Sequence, residues 1–137
     1  MSDFDPAPIR ASFARQSMMT TLGATMEEVE PGRVVIQAEA APHLAQQQGF
    51  AHGALTFAIG DSAAGYAALT LMPPGTDVLT IEMKINMLAP ARGLLRAEGR
   101  VMRAGKRIVV VTAEVTSGGK SVALMQGTMI PVEGPAA

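Results

Sequence analysis

The sequence has no cysteine and no tryptophan, and its 137 residues include only one Tyr and four Phe. The lack of cysteine excludes disulfides, thiolate nucleophiles and cysteine-based zinc sites. Neither sign of charge dominates, since 11 Lys and Arg stand against 12 Asp and Glu. The basic excess typical of nucleic-acid-binding proteins is therefore missing. Hydrophobic residues make up 48% of the chain, so we expect one folded domain over residues 1–137.

Targeting signals are also absent from the N-terminal stretch MSDFDPAPIR, which has no basic start followed by an apolar run. We therefore expect a cytoplasmic protein. Residues 53–72 form a run with a single charge that is about as long as a bilayer is thick. An Asp inside such a run costs roughly 2.5–3.5 kcal/mol on insertion scales. A helix buried within its own protein is the better interpretation, and we predict no membrane partner.

Hydrophobic periodicity predicts the secondary structure. An amphipathic helix is expected over residues 9–22 and a long apolar helix over about 53–71, which Pro73, Pro74 and Gly75 end. Period-two alternation predicts strands over 24–30, 33–40, 78–88, 94–102, 108–115 and 121–130. Residues 1–8 and 132–137 are expected to be flexible.

The strand over 78–88 alternates most regularly. Leu79, Ile81, Met83, Ile85 and Met87 are expected on one face, with polar residues on the other. Short links between the last four strands predict an antiparallel meander. A sheet of five or six strands must cover its apolar face, and the only element long and apolar enough is the helix over 53–71. The expected fold is α+β, a sheet wrapped around one central helix, which is the hot-dog architecture.

Asp61 is the one charge in this apolar helix. A carboxylate there is costly unless it is hydrogen-bonded, paired or exposed in a cleft, so it is either a functional acid or an ordinary solvated or paired one. Gly53 begins the helix, and its backbone N–H is free to donate to an oxyanion at the positive end of the helix dipole. One helix thus carries an oxyanion donor and an acid, a pair suited to attack on an activated acyl group.

Other chemistries fit less well. The stretch GDSAA lacks the final glycine of a nucleophile elbow and lies within a helix. His43, His52 and Asp61 follow one another at nine-residue intervals, which match no metal-ligand pattern. We therefore predict no metal site and no separate cofactor.

The stretch QQQGFAHGALTFAIGDSAAGYAA, residues 46–68, resembles the signature of hot-dog acyl-CoA thioesterases, closest to the phenylacetic-acid-degradation and hydroxybenzoyl-CoA thioesterase branch. That pattern is an Asn or Gln, a His-Gly-Gly six residues later, and an acid nine residues after the His. Gln46, His52, Gly53 and Asp61 match it, whereas Ala54 replaces the second glycine. The segment TIEMKINMLAPARG, residues 80–93, resembles the next strand of the family, and the likeness spans about residues 12–131.

The resemblance implies roles for five residues. The Gly53 N–H would polarise the thioester carbonyl, and Asp61 would act as nucleophile or as general base on water. Gln46 would orient the water or the thioester, and Thr80 would hydrogen-bond the attacking group. His52 is more readily interpreted as a residue that holds the loop than as one that transfers protons.

The substrate implied is a small aromatic or medium-chain acyl-CoA, in which coenzyme A is part of the substrate. Its phosphates need cations, and a set around a bend and a hairpin turn are the candidates: Arg92, Arg103, Lys106 and Arg107. Ala54 and Tyr66 are candidates for the acyl pocket. Two alternatives stay open: a hot-dog hydratase or dehydratase, and a non-catalytic acyl-CoA-binding protein.

The spacing of Gly53 and Asp61 also predicts a dimer. Eight helical residues separate them by about 12 Å, whereas a nucleophile must approach the carbonyl carbon to roughly 3–3.5 Å. Two such helices packed antiparallel about a two-fold axis would bring Gly53 of one subunit near Asp61 of the other. The resemblance further suggests a homotetramer of two such dimers.

Overall fold

The computed structural model describes residues 3–134. Two short helices come first, α1 (Ala7–Ala14) and α2 (Ser17–Thr21), followed by strands β1 (Thr25–Glu30) and β2 (Arg33–Glu39). A 3₁₀ turn (Pro42–Leu44) leads to the long helix α3 (Gly53–Leu69). Four strands complete the chain: β3 (Thr76–Met87), β4 (Leu94–Ala104), β5 (Val109–Ser117) and β6 (Lys120–Glu133).

The strands form one antiparallel sheet of six, in the order β1-β2-β4-β5-β6-β3, with α3 packed against it. The predicted α+β hot-dog fold is therefore confirmed. The predicted meander is right for β4, β5 and β6 but wrong for β3, which pairs with β6 at the edge of the sheet. The link after β3 is no hairpin, because β3 and β4 are not neighbours in the sheet. Within this link, the N–H groups of Leu88 and Ala89 both donate to the Val122 carbonyl. The chain is thereby led past the end of β6 before it enters β4.

A bulge in β3 overturns the predicted single apolar face of this strand. The pairing with β6 passes from Thr80 directly to Glu82, so Ile81 has no partner and the alternation shifts by one residue. Thr80 consequently points towards α3, whereas Leu79 and Ile81 are each 54% exposed. Beyond the bulge, Met83 and Ile85 pack against the core.

Small residues allow α3 to lie directly on the sheet. A Cβ atom at Gly99 of β4 would clash with the backbone of Ala63 and Ala64, so no other residue fits there without a shift of the helix. Ile59, Ala63, Ala64, Ala67 and Ala68 of α3 are fully buried. The helix therefore lies at the centre of the core. A carboxylate such as Asp61 fits on it only where the side chain reaches a hydrogen-bond partner or solvent.

The N-terminal region differs from the predicted helix over 9–22. Gln16 has an extended backbone (φ −79, ψ 96) that separates α1 from α2. Secondary structure extends into both ends that are expected to be flexible, since α1 begins at Ala7 and β6 continues to Glu133, and their flexibility stays a prediction. Residues 1, 2 and 135–137 lie outside the described part of the chain. Over residues 3–134, no helix has the length and apolar character needed to cross a bilayer.

Candidate active site

Asp61 lies at the middle of α3, at the side of the helix that faces β3. Its Oδ1 accepts a hydrogen bond of 2.8 Å from the Thr80 hydroxyl. Partial burial of the carboxyl raises the pKa of Asp61 above its ordinary value. The hydrogen bond from Thr80 lowers this pKa and so opposes part of the rise. No cation forms an ion pair with Asp61 among residues 3–134. The carboxylate is thus half-buried, has one hydrogen bond from Thr80 and has no ion-pair partner in that range, so it is not part of a structural ion pair.

The start of α3 presents the backbone donor. Gly53 is the first residue of the helix, and its N–H finds no acceptor among residues 3–134. His52 is the N-cap, and its Nδ1 accepts from the Ala54 N–H at 2.9 Å. The neutral imidazole must therefore carry its proton on Nε2. This cap fixes the helix start and leaves the Gly53 N–H as the free donor.

Gln46 holds the loop that precedes the helix. Its Oε1 accepts from the N–H groups of Gln48 at 2.6 Å and Phe50 at 3.2 Å, and its Nε2 donates to Gln48 Oε1 at 3.2 Å. Since an amide nitrogen carries two protons, one N–H of Gln46 stays available for a ligand. The loop is closed further by the bond from the His52 N–H to the Leu44 carbonyl.

Two separate cavities contain four of the five predicted catalytic residues, all except His52. The acid cavity, of about 330 Å³, is lined by Asp61 and Thr80 together with Ser12, Arg15, Gln16 and Tyr66. The donor cavity, of about 400 Å³, is lined by Gln46 and Gly53 together with Phe50, Thr56, Met87 and Leu88. No residue lines both. One subunit therefore brings Gln46 to Gly53 and Thr80 to Asp61, but it does not bring the two pairs together.

The candidates for the acyl pocket are also divided. Tyr66 is 4% exposed and lines the acid cavity. Its hydroxyl accepts from Gln16 Nε2 at 2.7 Å and shares a 3.0 Å hydrogen bond with Ser12 Oγ. Ala54 lines neither cavity and lies instead with His43 and His52 around a third, more apolar cavity.

The four predicted phosphate ligands do not cluster, contrary to the prediction. Arg92 precedes β4, whereas Arg103, Lys106 and Arg107 lie around its far end. An extended strand of this length separates the two places by roughly 35 Å. The prediction grouped a bend and a hairpin turn that lie at opposite ends of one strand, and the phosphate-binding role of each residue stays a prediction. Only Arg92 is near the site, since its guanidinium lies 4.2 Å from the centre of the Phe50 ring in the donor cavity.

A family comparison decides the classification. The model of the Thioesterase superfamily matches residues 48–124, more than half of the chain, and the match includes Gly53, Asp61 and Thr80. The chain belongs to the thioesterase superfamily. Membership places it among the thioester hydrolases.

Individual relatives agree with this class. A thioesterase family protein from Silicibacter pomeroyi has the same fold, with a TM-score of 0.88 and 37% identity over 92% of this chain and 96% of that one. A 1,4-dihydroxy-2-naphthoyl-CoA hydrolase from Listeria monocytogenes is 28% identical over 72% of this chain and 81% of its own. A protein from Saccharolobus solfataricus that carries an esterase name is 34% identical over 63% of this chain, and the match spans only 61% of its own length.

The thioesterase match leaves some residues outside it. The family model begins at residue 48, so α1, α2 and the two residues between them lie before it, yet this segment supplies Ser12, Arg15 and Gln16 to the acid cavity. Nothing in their local sequence signals this, because the contact depends on how two short helices pack against α3. The match is to the superfamily, and the narrower phenylacetic-acid-degradation and hydroxybenzoyl-CoA branch stays a prediction.

Proposed function

We propose that this thioesterase hydrolyses a small aromatic or medium-chain acyl-CoA at a site shared by two subunits. The observation that carries the proposal is the separation of the free Gly53 N–H from the half-buried Asp61 into two cavities of one chain. Each cavity holds one half of an acyl-transfer site, an oxyanion donor or an acid, and neither half suffices alone.

The edge of the sheet supports a dimer that completes the site. Among residues 3–134, β3 pairs only with β6, so its other edge is open in this part of the chain. Leu79, Ile81 and Met87 on this strand are each more than half exposed, and an open apolar edge is a typical pairing surface. Gly53 lies against Met87 at one end of β3, and Asp61 is bonded to Thr80 towards the other. Two β3 edges joined antiparallel would therefore place the donor cavity of one subunit beside the acid cavity of its partner.

The chemistry follows from these groups. The Gly53 N–H, at the positive end of α3, would stabilise the negative charge that develops on the thioester oxygen. An Asp61 oxygen would attack the carbonyl carbon, the C–S bond would break, and coenzyme A would leave as the thiolate. Water would then cleave the resulting anhydride to the free acid and regenerate the carboxylate. In the other route, Asp61 removes a proton from a water molecule that attacks directly.

Isotope labelling separates the two routes. In a single turnover in H₂¹⁸O, direct attack by water puts ¹⁸O into the product acid. If Asp61 attacks, an anhydride forms first. Water that opens this anhydride at the Asp61 carbonyl leaves ¹⁸O on the Asp61 peptide, and the first product acid carries an oxygen from the enzyme. Mass spectrometry of both species decides between them.

Coenzyme A would be held chiefly by Arg92. It is the one predicted phosphate ligand beside the donor cavity, and its stacking on Phe50 keeps its charge at the mouth of that cavity. The homotetramer and the cytoplasmic location stay predictions from the sequence.

A thiol-release assay on a panel of acyl-CoAs tests the function. We expect turnover by the wild-type protein and at least a ~10²-fold loss in Asp61→Asn. Hydration of enoyl-CoAs without thiol release would identify a hydratase. Binding of acyl-CoAs without any turnover would identify a non-catalytic acyl-CoA-binding protein.

A further inference from the structure

The acid cavity contains a polar cluster that the proposed hydrolysis does not use. It consists of Ser12 in α1, Gln16 between α1 and α2, and Tyr66 in α3, joined through the Tyr66 hydroxyl by the two bonds described above. Tyr66 lies five residues after Asp61, more than one helical turn away. The cluster therefore stands apart from the carboxylate but in the same cavity.

Anchoring of α1 does not require these polar groups. Ile9 of α1 is 5% exposed and belongs to the core. The Phe13 ring packs edge-on against the Tyr66 ring, with centroids 6.1 Å apart. Arg10 also ties α1 to β1 through a 2.7 Å bond to the Met26 carbonyl. A phenylalanine at position 66 would keep the ring contact, so the hydroxyl is not required for this packing.

Some polar atoms of the cluster have no hydrogen-bond partner among residues 3–134. Gln16 donates through Nε2, but its Oε1 has no donor among residues 3–134. Ser12 and Tyr66 share one hydrogen bond, which uses the proton of only one of the two hydroxyls. The proton of the other hydroxyl is free for a ligand. Ser62, which also lines the cavity, has no hydrogen-bond partner for its hydroxyl in the same described range. The wall can thus both accept from and donate to a bound group.

The cavity suits a short and polar acyl group. Its volume of about 330 Å³ is at the small end of the roughly 300–1,000 Å³ of ligand pockets. Apart from the Tyr66 ring, Gly65 and Val78 are the only lining residues without a polar side chain. A long hydrocarbon chain would strip water from this wall without replacing its hydrogen bonds, and such unpaired groups are what rejects an apolar ligand.

We propose that Ser12, Gln16 and Tyr66 are the specificity-determining wall of the acyl cavity and recognise an oxygen-bearing group, a hydroxyl or carbonyl, at the far end of a short acyl moiety. The inference rests on the proposed thioester hydrolysis, since it takes the acyl group to extend from Asp61 into this cavity. It selects, within the substrates proposed above, the polar-ended short ones over medium hydrocarbon chains.

Matched substrate pairs test this. Hexanoyl-CoA is compared with 6-hydroxyhexanoyl-CoA, and benzoyl-CoA with 4-hydroxybenzoyl-CoA, by kcat/KM in the thiol-release assay. The wild-type protein should favour the hydroxylated member of at least one pair by about tenfold. Gln16→Met, Ser12→Ala and Tyr66→Phe should each reduce that ratio severalfold, mainly through KM.

Control substitutions of the same type are available outside the cavity. Gln126 is exposed on the outer face of β6, and Ser17 is exposed on α2. Gln126→Met and Ser17→Ala should keep the wild-type ratio. Equal losses on both members of each pair in the Gln16 and Tyr66 variants would overturn the inference and assign the cluster to the packing of α1.

A binding experiment tests this inference separately from the proposed function. Asp61→Asn protein is titrated with the hydrolysis-resistant thioether analogues of the same pairs. Preference for the hydroxylated thioether that Gln16→Met abolishes would support the wall even if no thioester were hydrolysed. If the protein hydrolyses thioesters but neither the kinetic assay nor the titration shows a preference for the hydroxylated compound, the proposed hydrolysis stands and the proposed role of Ser12, Gln16 and Tyr66 is wrong.

Discussion

The two halves of the proposed site sit on one helix, yet they are built in different ways. The donor half, around Gly53, has an uncharged backbone donor at its centre with Arg92 at its mouth, and its helix start is organised by neighbours in sequence: the His52 cap and the loop that Gln46 ties together. The acid half, around Asp61, is charged and is organised by distant elements, Thr80 of β3 and the α1–α2 segment. The positive helix end and the carboxylate are complementary but too far apart within one chain. In the proposed dimer, this helix would therefore supply each of two sites with only half of its groups.

The largest effect is expected from removal of the charge in the acid half. Asp61→Asn keeps the shape and the partner Thr80 but can neither attack nor accept a proton. We expect kcat to fall by at least ~10²-fold, with little change in substrate affinity, measured by steady-state thiol release. A variant that retains more than a third of wild-type turnover would remove Asp61 from the mechanism.

Mixing defective subunits tests whether the halves belong to different chains. Gly53→Pro deletes the N–H at the first helical position, which tolerates proline, after a His52 that is already extended (φ −63, ψ 138). It and Asp61→Ala should each be nearly inactive. After co-refolding in equal amounts, half of the dimers are mixed and each has one intact site, so about a quarter of wild-type activity should return.

The controls for this experiment are built into the same position. Gly53→Ala keeps the N–H, and its methyl group would meet only the flexible end of Met87 at 3.0 Å. It should therefore retain far more activity than the proline variant. If mixed dimers form, as native mass spectrometry can verify, and no activity returns, the shared site is wrong.

The same contrast explains what the sequence could predict. The donor half was predictable because a glycine after a capping His at a helix start is a local pattern. The position of Asp61 was predictable as an anomaly in an apolar run. The contacts of Ser12 and Gln16 were not, because they join segments 50 or more residues apart. The bulge at Ile81 inverted one strand face, since period-two alternation continues in the sequence where the pairing with β6 skips a residue.

Thr80 tunes the acid half, and its loss should cost about tenfold. Thr80→Val removes the 2.8 Å bond that opposes the rise in the Asp61 pKa. Because Asp61 works as the carboxylate, kcat/KM rises with pH through this pKa, and the variant should need a higher pH to reach half of its maximum. Thr128→Val is the matched control, as Thr128 donates to Glu82 at 2.7 Å away from the site. A pH profile that moves equally in both variants would contradict this role.

The donor half should depend on Arg92 for coenzyme binding, with a smaller effect. Arg92→Met keeps an apolar side chain over Phe50 but loses the charge, so KM for an acyl-CoA should rise about threefold to tenfold with kcat nearly constant. The same enzyme should be unaffected on an N-acetylcysteamine thioester, which lacks the phosphates. Arg103→Met, at the far end of β4, serves as the control. A larger increase in KM for Arg103→Met than for Arg92→Met would contradict this assignment. It would show that the β4–β5 turn of the partner subunit binds the coenzyme instead.

The smallest effect concerns the stability cost of the acid half. Burial raises the pKa of Asp61 in the folded state above its unfolded value, so the folded protein binds this proton more tightly than the unfolded chain does. The stability that the group contributes is present below the unfolded pKa and is lost as pH rises through the folded pKa. An asparagine at this position cannot titrate, and the variant Asp61→Asn should therefore be more stable than wild type at neutral pH, by less than about 1 kcal/mol because the partly exposed carboxyl is screened by solvent.

Urea unfolding at fixed protein concentration measures this stability difference between Asp61→Asn and wild type. The difference should vanish towards low pH and level off above the folded pKa of Asp61, because only the wild-type carboxyl loses its proton in that interval. Glu114→Gln, an exposed carboxyl on β5, should show no comparable gain. A difference that shrinks as pH rises would mean that the carboxylate is stabilised in the fold, and Asp61 would then be a structural acid rather than a strained catalytic one.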